Sequence, residues 1–298
     1  MVPVWFSGQH YELSDGYGPS RYALSGMVGA PMLFYGLIHW IVRNVKFRLF
    51  FVIVVITSSV AIHVKSAHSF LEEWRDQKDT LWQITWRIPE LHPGTTIWLQ
   101  SDGWRERHAG DTTHSMPINI IYSPKGTSKN LDYWVTRVDI EDSSISNQMH
   151  VDHTIYHVAN DLEFTGSARE SVVIMHSRPG CLKVLSSDDL YSTQVVGPMR
   201  ELMKISNVDL IQRRSHRINI LPREIFGQEP EHGWCYFFQK ADLARQFGDW
   251  DEIVDIGDKA ISLSLKPENK YEWSLFIDAY KKAGRLNDIE WLNKKFDL

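Results

Sequence analysis

The chain has 298 residues, which leaves room for about two domains beyond any membrane segment. Its net charge of −5 gives no basic excess, which argues against a nucleic-acid partner. Trp is frequent, at 12 residues, a composition suited to large buried aromatic contacts and to anchors at a membrane interface.

Residues 1–26 read as an N-terminal segment outside the cytoplasm. Two apolar runs follow, residues 27–42 (MVGAPMLFYGLIHWIV) and 49–64 (LFFVIVVITSSVAIHV), and neither carries Lys, Arg, Asp or Glu. Each is near the lower limit of the roughly 17–25 residues that cross a bilayer. A soluble helix of this length keeps a polar face, and residues 50–56 have none. A signal peptide fits poorly, because the apolar stretch starts late, is doubled and has no basic lead-in. The sequence therefore predicts a transmembrane hairpin over residues 27–67. Arg43, Lys46 and Arg48 lie between the runs, and the positive-inside rule puts that connector in the cytoplasm. Lys65 and Arg75 oppose this only weakly. Both ends of the chain are then outside the cell membrane, an arrangement expected for the tail of a longer multipass protein.

Residues 68–228 read as a juxtamembrane helix followed by a mixed α/β domain. In 68–86, Phe70, Trp74, Leu81 and Ile84 fall near one helical face, and Pro89 and Pro93-Gly94 end the segment. Residues 95–99, 133–140, 155–158, 162–164, 171–176 and 181–185 are predicted strands. Residues 104–115, with His108 and His114, read as a loop, and 117–122 as a strand or a short helix. Residues 196–205 read as helical. From residue 229 onward the chain is predicted to be helical, with helices over 234–247, 250–263, 271–283 and 286–296. DLARQFGDWDEI pairs with DAYKKAGRLNDI, so that Asp242 aligns with Asp278, Gly248 with Gly284 and Ile253 with Ile289. The offset is close to the period of about 34 residues of tetratricopeptide-like helix pairs. Ala241, Ala244, Tyr280 and Ala283 are expected where helices approach. An ordinary four-helix cap is the competing reading. The fold class is thus membrane-anchored α/β: two transmembrane helices, a mixed α/β domain and a tetratricopeptide-like α-helical end over 229–298.

Three segments carry a resemblance: WQITWRIPELHPGTTIWLQSD (82–102), RPGCLKVL (178–185) and, above all, FGQEPEHGWCYFFQKADLARQFGDWDEIVDIGDKA (226–260). They resemble the C-terminal part of bacterial multipass membrane proteins of the glycosyltransferase family 39-like group, many of them uncharacterised. SRYALSGMVGAPMLF (20–34) is similar to the last membrane section of that group. The resemblance implies a multi-pass protein of the bacterial cell membrane and, for the whole enzyme, a lipid-linked sugar donor used in cell-envelope glycosylation. The family's catalytic acid lies in the first extracytoplasmic loop near the enzyme's N-terminus. This chain has only Glu12 and Asp15 before its first run, and neither takes that role.

Candidate site residues are few. Cys181 and Cys235 are the only cysteines; they are either joined, if the soluble part is extracytoplasmic, or two buried free thiols. Glu229, Glu231 and His232 form a polar cluster that either serves metal or acid–base chemistry or caps the helix beginning near Gly233. His150, His153 and His157 have spacings compatible with one helix face, but the intervening residues argue against a helix. Arg213, Arg214, His216 and Arg217 form a basic cluster, either a solvated face or a contact for anionic headgroups. No phosphate loop, nucleophile elbow or HExxH motif occurs, so neither a cofactor nor a metal is expected. Two functions remain. One is a non-catalytic extracytoplasmic interaction or support module, with the bilayer and a protein as partners, the protein held by the C-terminal helices or being the missing membrane domain. The other is the C-terminal part of a membrane glycosyltransferase whose catalytic part is absent from this chain.

Overall fold

The computed structural model describes residues 28–101, 110–123, 129–138, 154–159, 161–187, 195–213 and 221–296. These divide into two units, one ending at Arg75 and the other beginning at Asp76. The predicted segment 1–26 and connector 141–148 lie outside the described residues.

The first unit holds helix α1 (Gly29–Ile41) and the greater part of helix α2 (Val45–Arg87). At 13 residues α1 is short of the ~20 needed to cross a bilayer. The second predicted run and the juxtamembrane helix are not separate elements. They form one helix of 43 residues, because no Gly or Pro interrupts the chain between Val45 and Arg87. Asn44 caps its start by accepting the Lys46 N–H at 2.9 Å. Lys46 and Arg48 therefore belong to the first turn of α2, leaving Arg43 in the connector. The most apolar window of α2 has a mean hydropathy of 2.1 and no buried residue, so α2 is long and apolar enough to span a membrane. Among the described residues it is the one helix that is.

After a two-residue strand, β1 (Glu90–Leu91), the second unit is built on a four-stranded sheet of order β3-β2-β6-β7, where β2 is Thr95–Ser101, β3 Tyr133–Arg137, β6 Ser171–His176 and β7 Lys183–Leu185. Strands β2, β3 and β6 run parallel and β7 antiparallel. Helix α3 (Asp111–Tyr122) connects β2 to β3. It takes in both the segment left between strand and helix and residues 111–115 of the predicted loop. Asn119 sets its position: its amide donates to the Ser115 and Tyr133 carbonyls and accepts from the Asp132 and Tyr133 N–H groups. One sheet face packs Ile97, Leu99, Val135 and Ile174 against Ile118 of α3, against Leu81 and Ile84 from the end of α2, and against Ile88 just after it. The other packs Trp98, Trp134 and Val173 against Ile155 and Phe164 and against Met199 and Leu202. Ile155 and Phe164 come from the antiparallel pair β4 (Thr154–Ala159) and β5 (Leu162–Ser167). Met199 and Leu202 come from the short helix α4 (Pro198–Leu202).

His114, on α3, is buried, and burial together with Arg137 lowers its pKa to about 4. The unfolded chain then binds one more proton than the folded chain between pH 4 and about 6.5. Stability is accordingly expected to fall by on the order of 3 kcal/mol as pH drops through that window. Urea unfolding at several pH values checks this: His114→Leu should flatten the acid limb, and an unchanged pH slope counts against it.

Four helices complete the unit: α6 (Trp234–Gln246), α7 (Trp250–Ser262), α8 (Trp273–Lys282) and α9 (Leu286–Phe296), after a single turn, α5 (Arg223–Phe226). Consecutive helices pack on one another. The aligned glycines end α6 and α8 in the same way. Gly248 and Gly284 have φ of 70° and 71°, and the residue after each donates back across the turn, Asp249 to the Ala244 carbonyl and Arg285 to that of Tyr280. Ala241, Ala244 and Tyr280 are buried at helix contacts, whereas Ala283 is exposed. Gly257 provides a further close approach: a Cβ there would lie 2.8 Å from Tyr280 Oη and 2.9 Å from Phe276 Cδ1.

Candidate functional site

The end of α2 contributes polar side chains to the interior, all facing the seam between sheet and helical end. Arg87 is buried against Asp242 of α6, with Nε to Oδ2 at 2.6 Å, and Arg245 holds the other carboxylate oxygen at 2.8 Å. Burial alone pushes the Asp242 carboxyl up, but the two guanidinium groups outweigh it and hold it below the usual carboxylate range.

One turn earlier, Gln83 joins several segments. Its Oε1 accepts the Leu182 N–H at 2.8 Å and the Gln239 amide at 3.2 Å. A backbone N–H can only donate, so the Gln83 orientation is fixed. Its Nε2 then donates to Asp79 at 3.1 Å and faces His176 Nε2 at 3.5 Å. His176 Nε2 is thereby the acceptor, and its Nδ1 carries the proton donated to Thr80 Oγ1 at 2.9 Å. The Thr80 hydroxyl in turn donates a hydrogen bond to the Asp76 carbonyl at 3.0 Å.

Glu272 is the third polar hub. It is fully buried in a 3₁₀ turn (Lys270–Glu272) ahead of α8. Its carboxylate accepts the Cys181 N–H at 2.6 Å and the Trp234 indole N–H at 2.7 Å, with Lys183 Nζ at 3.5 Å. Beside it, Cys181 and Cys235 are joined in a disulfide between the segment leading into β7 and α6.

Gln83, His176, Glu272 and the two cysteines line a cavity of about 520 Å³, whereas the Arg87–Asp242 pair lies outside it. It opens where β6 hands over to the turn at 177–180. His176 is the last residue of β6, so the cavity lies at the carboxyl end of that strand. His176 and Arg178 line the cavity from that edge, and Asp79, Glu231, Glu268 and Glu272 supply carboxylates against the cations of Arg178 and Lys266. Arg178 also pairs with Asp76 at 2.7 Å and with Asp79 at 3.6 Å. Burial raises the Asp79 pKa, with Arg178 and Gln83 acting the other way. The indoles of Trp86 and Trp234 complete the wall. Such a wall offers hydrogen-bond acceptors, two cations and flat apolar surface to a small polar ligand.

The polar cluster read from sequence divides here. Glu229 accepts from the Trp86 indole at 2.9 Å and pairs with His232 at 3.0 Å, while His232 stacks on Tyr236. Burial works against ionisation of Glu229, but His232 and Trp86 win and lower its pKa. Gly233 is the N-cap of α6, so no side chain at the cap position caps the helix, and its first turn holds no acid. Glu231 lies on the cavity wall instead. His157 sits on a strand, stacked on Trp134 at 4.5 Å, and His150 and His153 lie outside the described residues. Arg213 pairs with Asp249 at 2.7 Å and also with Glu252, whereas Arg214, His216 and Arg217 lie outside the described residues. No group of three or more His, Cys, Asp or Glu side chains suited to a metal occurs among the described residues. Sequence reasoning missed Gln83, His176 and Glu272. Only their proximity to the cysteines in space marks them, and nothing in the local pattern does. No protein-family profile, curated protein or solved structure matches the chain.

Proposed function

We propose that this chain is a membrane-anchored, non-catalytic binding module, with its second unit outside the cytoplasm in support of a bacterial multipass membrane protein. The disulfide between Cys181 and Cys235 carries the reading, because such bonds persist in oxidising compartments. The apolar part of α2 supplies the anchor, and the apolar run that contains α1 is the other span of the hairpin in this reading. Arg43, Lys46 and Arg48 face the cytoplasm; two of them occupy the first turn of α2, where the helix dipole disfavours cations. The matched caps at Gly248 and Gly284 support a tetratricopeptide-like pair of helical hairpins. Leu286 and Trp291 on α9 are large exposed apolar residues, and they form the contact for the membrane partner.

A reporter fused to the C-terminal end tests the placement. An alkaline phosphatase fusion is expected to be active in cells, and an inactive phosphatase with an active β-galactosidase at the same place overturns the reading. Leu286→Glu with Trp291→Glu should abolish co-purification of the membrane partner while leaving urea unfolding unchanged. Transfer of sugar from a polyprenyl-phosphate donor by the purified chain would refute the non-catalytic part.

A further inference from the structure

We infer that Cys235 is a thiol-exchange site, and that Glu272 makes the resulting mixed disulfide slow to form and slow to resolve. The two sulfurs differ in access. Both cysteines line the cavity, but Cys181 is 1% exposed whereas Cys235 is only half-buried. A small thiolate entering the cavity therefore meets the Cys235 sulfur. It forms a new S–S bond there, the Cys181–Cys235 bond breaks, and the electron pair leaves on Cys181.

That leaving sulfur emerges beside a negative charge. Glu272 Oε2 lies 3.2 Å from Cys181 Sγ, and the carboxylate is fixed by the Cys181 N–H and the Trp234 indole. Lys183, the cation on this hub, faces the other oxygen, Oε1, at 3.5 Å. A thiolate so close to a carboxylate is disfavoured. Cys181 instead takes a proton from water and rests as a thiol donating to Oε2. The net change is one small thiol consumed, one mixed disulfide formed on Cys235 and one thiol formed at Cys181. A neutral thiol is a weak nucleophile, so Cys181 is slow to attack the mixed disulfide and expel the small thiol. The same charge that slows entry also slows exit, and the cap on Cys235 persists. The exchange needs only a small thiol, on whichever side of the membrane the unit lies.

Timed exposure of the full chain in detergent to glutathione, acid quenching and alkylation, then peptide mass mapping, tests it. Glutathione is expected on Cys235, with Cys181 as the alkylated thiol, and the mixed disulfide should accumulate. Glu272→Gln should speed its formation roughly tenfold and abolish its accumulation. Trp234→Phe removes one hydrogen bond but keeps the charge, so it should not accelerate exchange. Equal acceleration by both variants would mean simple loosening and overturns the inference. Glutathione on Cys181, no exchange in the folded chain, or two free thiols at the outset do so as well. If Glu272→Gln does not fold, the map on the unaltered chain still decides which sulfur is attacked.

Discussion

Asp242→Leu is expected to cost about 3–5 kcal/mol of stability, read as a lowered urea midpoint of the full chain in detergent. The substitution leaves Arg87 charged in the interior, with Gln246 Oε1 at 3.0 Å as a neutral partner. Arg87→Met should cost less, because Arg245 still neutralises Asp242. The double variant should recover part of the loss, since replacing both members of a buried pair removes the stranded charge. The pair also has a pH signature. The Asp242 carboxyl titrates lower in the folded chain than in the unfolded one, so its contribution is fully present above the unfolded-state value. It is lost as pH falls through the lower folded value. A double variant less stable than either single one would show that Arg87 and Asp242 do not act as a pair.

Cys181→Ala with Cys235→Ala should lower stability by about 2–4 kcal/mol. The bond closes a separation of 54 residues, so its removal frees a long loop in the unfolded chain. The denatured state then expands and exposes more surface, and the urea dependence should steepen along with the fall in midpoint. An unchanged midpoint would overturn the expected stabilisation by the bond.

The apolar run at 49–64 was legible because residues 50–56 lack any polar face, and the helical end because glycines at 248 and 284 punctuate it. Residues 171–176 were legible as a strand because β-branched residues cluster there. The fusion of span and juxtamembrane helix was misread because Lys65, Ser66 and His68 resemble a boundary, although polar residues do not break a helix. The end of α2 was misread for another reason. Periodicity assigned one apolar face, yet Thr80, Gln83 and Arg87 are buried too, because the sheet and the helical end pack on different sides of it. The site was least legible. Nothing in the sequence around Glu272 marks it, and it is held as an interior carboxylate by N–H groups that Trp234 and Cys181 bring from far off in sequence.

Gln83 bears on how this protein can be divided. One amide joins the end of α2, the strand entry at Leu182 and the α6 residue Gln239. A fragment of residues 229–298 would carry Asp242 without Arg87 and Gln239 without its partner. Despite its repeat-like outline, the helical end is not a portable part: transplanted to another scaffold, it would have to be given a new polar interior.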